Sequence, residues 1–329
     1  MADPAEPVVF HIPGSVLNDA HSLAEVYGKM GGALQALGVP VRFVVHDRIM
    51  VPREIEADHG FHILDHGRMR HPRVLNCGSA YIAPFRYLDP WGIRAFSSIA
   101  GQVFDAKRIP VDAAMGFQAR LVKRLVDARR SRYYQPETCV PVPAHCIAVF
   151  LQTEQHRAVG ETCYLSMREM VFGLLARPDP RPIVIKPHPR DVDFATLDWL
   201  ANLALTDARL HIIPGNIHDI LGACDVVVTI NSAVGIEAMV HSKPVVLCGH
   251  CDFHHCAVTA KQMGDLGDAI ARAESTHWPF AAFLTWFYRR KCIDPRSETL
   301  GQDILARISQ TGFDVTALGV NPPSPPTHQ

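Results

Sequence analysis

Residues 225–246 read DVVVTINSAVGIEAMVHSKPVV, and the order of residue types within them dictates an architecture. The opening run of valines is closed by Thr229 and Ile230 with no polar alternation. Such β-branched side chains suit a pleated strand, and an unbroken apolar run means that both of its faces are covered. Asn231, Ser232 and Gly235 break the run, residues 233–241 read as a helix carrying Glu237, and Pro244 introduces a further apolar strand. Strand, helix and strand in this order build a parallel sheet.

The neighbouring sequence repeats the pattern. Strands are expected at 146–152, 183–186, 209–213, 225–230 and 244–249, alternating with helices near 161–176, 193–206, 217–223, 233–241 and 264–273. The chain also opens with strand, helix and strand: VVFHI at 8–12, a helix with Leu23, Val26, Tyr27, Met30, Leu34 and Leu37 at helical spacing, a stop at Gly38, and VPVRFVVH. From 50 to 112 the periodicity fades into a loop-rich stretch of Pro, Gly, Arg, His and aromatic residues, the kind of segment that forms substrate-facing surface. A helix follows near 113–132, whose basic end KRLVDARRSR reads as a solvated C-terminus.

The expected fold class is therefore α/β, with two doubly wound Rossmann-like domains facing a cleft and ligands at the C-terminal ends of the strands. The length of 329 residues suits two domains of about 150 residues. Boundaries are expected at 1–140 for an N-terminal acceptor domain and 141–275 for a C-terminal nucleotide-sugar domain, with ETCVPVPAH as linker. C-terminal helices over 276–318 would pack at the junction, and the Pro-rich 319–329 would be a disordered tail.

Charge and composition narrow the function. Lys+Arg 32 against Asp+Glu 33 gives a net charge of -1, which argues against nucleic acid as a partner and requires any anion binding to be local. No apolar run reaches the roughly 18 residues of a membrane helix, and MADPAEPVVF lacks the regions of a signal peptide, so a soluble, cytoplasmic protein is expected. Nine scattered cysteines read as reduced core thiols. Cys248, His250, Cys251, His254, His255 and Cys256 match no familiar zinc spacing, so no metal and no cofactor are expected. Asp252, His254 or His255 would instead line the cleft. Asp191 and Asp193 formally make a DxD, read here as dipole compensation at a helix start.

Two segments carry candidate chemistry. In VIKPHPR, residues 184–190, a strand runs into Lys186, His188 and Arg190 with prolines between them, which forces a turn and presents cationic groups at the strand end. In the second, Asn231 or Ser232 caps the helix after the strand, so that its free N–H groups favour a phosphate. Neither GxGxxG nor GxxxxGK[ST] occurs. In the first domain, Asp19 and His21 follow the first strand, and either could act as a base toward an acceptor hydroxyl, Asp19 having helix capping as its alternative.

The HP dipeptide ending a strand, followed some forty residues later by N-S-x-x-G-x-E-A and K-P-V, resembles the capsule polysaccharide biosynthesis family, which includes Kdo transferases using CMP-Kdo. The likeness is clearest over 146–272 and includes Leu151-Gln152, where the family often has PLQ, and FHHCAVTAKQMGDLGDAI. The resemblance implies a GT-B fold and a glycosyltransferase moving a Kdo or sialic-acid type sugar from a CMP-activated donor, which is substrate rather than cofactor. Nucleotide contacts would come from Lys186, His188, Arg190, Asn231, Ser232, Gly235 and Glu237, the last holding the sugar of the nucleotide. Where the family commonly has an Asp after PLQ, this chain has Glu154, the first choice for a catalytic carboxylate, with His188 helping to neutralise the leaving phosphate. Partners would be the nucleotide-sugar donor, a glycan acceptor and, peripherally, a membrane polysaccharide assembly complex. Two alternatives stay open: a transferase of CDP-activated polyol phosphate, and a catalytically silent member that binds nucleotide-sugar or polysaccharide.

Overall fold

The computed structural model describes residues 5–152, 159–188 and 194–321. The chain forms two compact units, one of residues 1–101 with 288–329 and the other of residues 102–287. These bounds differ from the expected 140/141 and 275/276. The helix Val111–Leu121 and the segment ETCVPVPAH, expected to end the first domain and to link it to the next, both fall inside the second unit. The chain returns to the first unit through residues 286–291. Of the expected C-terminal tail, residues 322–329 lie outside the described residues.

The first unit holds a five-stranded sheet. Its strands are β1 (Val8–Ile12), β2 (Val41–Val45), β3 (Phe61–Asp65), β4 (Val74–Ser79) and β5 (Arg86–Asp89), in the order β2-β1-β3-β4-β5. All pairs are parallel except β4 with β5. The order reverses between β1 and β3, which makes that pair the unit's topological switch point. One face is sealed by the helix Lys29–Gln35 and by the C-terminal helix Leu300–Ser309, which buries Leu300, Ile304, Leu305 and Ile308 in the same core as Phe10, Phe61 and Ile63. The two helices meet closely: a Cβ at Gly301 would lie 2.6 Å from the Ala33 carbonyl oxygen, which explains a glycine there.

The second unit holds six parallel strands: β6 (Cys146–Phe150), β7 (Ile183–Lys186), β8 (Leu210–Ile212), β9 (Cys224–Thr229), β10 (Val245–Leu247) and β11 (Val258–Thr259). Their order β11-β10-β9-β6-β7-β8 is the doubly wound dinucleotide-fold order, with the switch point between β6 and β9. The valines of β9 are the reason this pair is central. Val226, Val227 and Val228 are all fully buried, packed from both faces, and each such side chain contributes about 1.5–3 kcal/mol relative to exposure. The fold class is thus the expected α/β one, with a doubly wound Rossmann-like sheet in each unit. Among the described residues, no helix is long and apolar enough to cross a membrane.

Candidate functional site

The register of the second sheet aligns the strand ends. Lys186 is level with Phe150, Phe150 with Thr229, and Thr229 with Leu247, and the Thr229 hydroxyl donates to the Phe150 carbonyl at 2.8 Å. The residues just beyond these positions form the C-terminal edge at the switch point. Gln152 follows β6, His188 follows β7, and Asn231 and Ser232 follow β9.

At the centre of this edge Asn231 uses its whole amide. It accepts from Gln152 Nε2 at 2.7 Å and donates to Thr162 Oγ1 at 2.9 Å and to the His250 carbonyl at 3.0 Å. Asn231 therefore pins three loops and does not cap the following helix Val234–Val240, a correction to one of the two capping choices. Ser232 stands one residue before the N-cap position, Ala233, which makes no side-chain cap bond, and Ser232 Oγ accepts from Val234 N at 3.3 Å. Gly235 serves a close approach, since a Cβ there would lie 2.8 Å from the buried Phe253 ring.

The VIKPHPR strand end is only partly described. Lys186 points into protein: it is buried, and its ammonium donates to the Gly215 carbonyl at 2.6 Å, with the Pro214 carbonyl at 3.4 Å. Burial holds its pKa below the ordinary lysine value. The expected exposed cation is in fact a tie between β7 and the loop after β8. His188 stays at the edge, with the Tyr133 ring edge-on at 5.3 Å between centroids. Arg190, Asp191, Asp193 and Glu154 lie outside the described residues.

Glu237 is a strongly perturbed carboxylate. It is fully buried in the helix after β9, and burial pushes its pKa up to about 7, opposed only by a hydrogen bond from the Ser131 hydroxyl at 2.9 Å. Its second oxygen, Oε2, has no hydrogen-bond partner among the described residues. A carboxyl so placed exchanges its proton near neutral pH and, when protonated, can donate as well as accept.

The segment that covers these groups carries no local signature in the sequence. The basic segment after the helix Val111–Leu121, expected to be solvated, docks on the same unit. Arg129 pairs with Asp219, and the Arg130 carbonyl accepts from His218 Nε2 at 2.9 Å. That bond fixes the His218 proton on Nε2, so its Nδ1 accepts from His241 at 2.9 Å. Both imidazoles are neutral, their pKa values lowered chiefly by burial, that of His241 to about 4. Ser131 reaches Glu237 and Tyr133 reaches His188. The signal for this segment was weak, the pairing of Ser131 and Tyr133 with groups far along the chain.

The cysteine-histidine run is packing. Cys248, Cys251 and Cys256 are buried and their thiols shifted upward by burial, Cys248 and Cys256 to about 12. Among the described residues, no three His, Cys, Asp or Glu side chains cluster as a metal-holding set. Asp252 is fully buried, and His255 donates to the Gln102 carbonyl at 2.8 Å while stacked on His254 and near Trp286. Of the alternatives Asp252, His254 or His255 for lining a ligand site, full burial argues against Asp252.

In the first unit, Asp19 is the N-cap of the short helix Ala20–Leu23. Its carboxylate accepts from His21 N at 3.2 Å and from the Ser22 hydroxyl at 2.5 Å. His21 is largely exposed and lies 3.5 Å from Glu25.

Comparison with known proteins agrees with this architecture. The KpsC β-Kdo 2,7-transferase of Thermosulfurimonas dismutans superposes with a TM-score of 0.52 at 15% identity, over 84% of this chain and 88% of that one. The β-Kdo 2,4-transferase of the same organism's KpsC gives 0.52 at 16% identity, over 85% and 89%. At such identity the likeness speaks for the fold, which is GT-B-like. No curated protein sequence matches the chain. Residues 109–284, more than half of the chain, match the profile of capsule polysaccharide biosynthesis proteins, and that span holds the β6–β9 switch point, His188 and the Asn231–Glu237 segment. The chain belongs to the capsule polysaccharide biosynthesis protein family.

Proposed function

We propose that this protein is a glycosyltransferase of capsule or surface polysaccharide synthesis, taking a Kdo or sialic-acid type sugar from a CMP-activated donor. The observation that carries this reading is the joining of the two strand ends at the second unit's switch point. Gln152 and Asn231 are bonded across it, His188 stands at the next strand end, and the buried Glu237 has one oxygen unpartnered among the described residues. Open parallel sheets bind nucleotides in this crevice.

In this reading the nucleotide phosphate is met by His188, by Arg190 and by the N–H groups of Ser232 and Ala233, those of Val234 and Gly235 being used within the turn. Glu237 holds the sugar of the nucleotide. Neutralising the phosphate as it departs stabilises the charge that develops in the transition state, and this chain's own groups can do so without a cofactor. Glu154 supplies the carboxylate near the anomeric carbon. Asn231 positions the turn, and Lys186 holds the β7 end. The N-terminal unit takes the glycan acceptor, and association with a membrane polysaccharide assembly complex belongs to the same proposal.

Thermal unfolding with CMP, CDP or UDP tests the donor class. Ligand at 100 times its dissociation constant adds roughly 2.7 kcal/mol, so CMP should raise Tm by several degrees and UDP should not. A shift by CDP exceeding that by CMP would favour the polyol phosphate reading, and no shift by either would remove the nucleotide.

A further inference from the structure

We infer that residues 129–135 form a strap that lifts when the nucleotide binds, the Ser131 hydroxyl holding on Glu237 the place that a ribose hydroxyl takes in the complex; the inference rests on the nucleotide reading above. The whole arrangement lies within the second unit. Glu237 is only 3% exposed, so a ribose does not reach it while the strap is down. One carboxyl oxygen accepts from the Ser131 hydroxyl at 2.9 Å, and the other, Oε2, is buried with no hydrogen-bond partner among the described residues. The two neighbouring hydroxyls of a ribose suit the two oxygens of one carboxyl group, and because a hydroxyl both donates and accepts they serve it with or without its proton. Ser131 fills one of these two positions. The other stays unmet, a cost to the free protein that a diol would remove.

The strap is held at both ends. At its start Arg129 has φ 49°, a left-handed conformation that turns the chain out of the preceding helix, and Arg130 N donates to the Leu125 carbonyl at 2.8 Å. Arg129 pairs with Asp219, and the Arg130 carbonyl accepts from His218 Nε2. At its end Gln135 Oε1 accepts from Ile217 N at 3.1 Å, and the Pro136 carbonyl accepts from Asn216 Nδ2 at 3.2 Å. All of these holds fall on residues 216–219, at the start of the helix Ile217–Ala223. Between them Arg132 and Tyr134 are exposed, Tyr134 by 84%. A segment gripped at its ends and open in its middle can lift at Ser131 while both ends keep their bonds. Tyr133, edge-on to His188, belongs to the same middle, so lifting also changes what stands beside the group proposed to meet the phosphate.

Opening exchanges one hydroxyl for another. The Ser131 bond to Glu237 breaks, Ser131 passes to solvent, one ribose hydroxyl takes the vacated oxygen and its neighbour takes Oε2. The strap therefore opposes binding by the strength of one internal hydrogen bond, and only a ligand with hydroxyls to offer recovers it.

The test is titration calorimetry of CMP and of 2′,3′-dideoxy-CMP with wild type and Ser131→Ala, together with hydrogen exchange of the wild type with and without CMP. Ser131→Ala should bind CMP about 3- to 10-fold more tightly, the equivalent of one net hydrogen bond no longer broken, and should gain less than about 2-fold for the dideoxy nucleotide. Amides of residues 131–134 should lose protection when CMP binds the wild type. A variant that binds CMP no more tightly than wild type, an equal gain for both nucleotides, or strap amides that gain protection with CMP would overturn the inference, while CMP binding by the wild type keeps the nucleotide reading. A wild-type protein that binds none of CMP, CDP and UDP would overturn that reading, and this inference with it.

Discussion

His188→Ala is expected to lower sugar transfer by about 10²–10³-fold, the usual loss when one group stabilising a departing charge is removed. The reason is positional. Of the three cationic side chains in VIKPHPR, Lys186 is spent on the carbonyls of Gly215 and Pro214, and Arg190 lies outside the described residues. His188 follows β7 directly at the strand end, with the Tyr133 ring edge-on beside it. Its loss should fall on kcat and on nucleotide affinity, without a large change in Tm, because the residue is only half-buried. Steady-state kinetics with unfolding curves for the same preparation check both halves of this expectation.

Glu237→Gln should change how stability depends on pH. The folded-state pKa of about 7 lies above the ordinary 4.5, so between those values the folded protein holds a proton that the unfolded chain has released. Stability is therefore lost as pH rises through this window, by about 3 kcal/mol in all if the shift is taken at 1.36 kcal/mol per unit. Glutamine mimics the protonated acid and does not titrate. Near pH 5 the variant and wild type should unfold alike, and by pH 8 the variant should be the more stable. The buried histidines His11, His62, His218 and His241 titrate in both proteins, so their contribution drops out of the difference. A difference in Tm that does not grow with pH would mean that Glu237 is ionised in the folded state.

The second sheet was legible because its strands are covered on both faces. Runs such as CIAVF and DVVVT have little else to be, and the expected strands agree with β6, β7 and β9 within two residues at each end. The first sheet beyond β2 was not legible. β5 is RYLD, with Arg86 and Asp89 buried because Arg86 bonds Ser79 and Tyr27 while Asp89 accepts from Trp91, Gly92 and Ser98. Composition cannot announce a strand whose polar residues are satisfied by distant partners. Asp65 lies in the same unread stretch, and its partners Tyr27 and Arg86 are brought to it only by the fold.

The site in the second unit divides the same way. His188, the Ser232 turn and Glu237 were visible because each follows a readable strand. The docking of residues 129–133 was hidden, since Ser131 and Glu237 are 106 residues apart and no local periodicity reports such a bond. Likewise, Asn231 looked like a helix cap because its type and position suited one; the structure spends its amide on Gln152, Thr162 and His250 instead.

The central claim is transfer of a sugar from a CMP-activated donor. Its most direct measurement is release of CMP from CMP-Kdo by the purified full chain, followed with and without a capsule-type glycan acceptor and repeated with His188→Ala. Acceptor-stimulated CMP release that falls at least about 100-fold in the variant is the expected result. Binding of CMP with no release under any acceptor, or release that His188→Ala leaves unchanged, would contradict it.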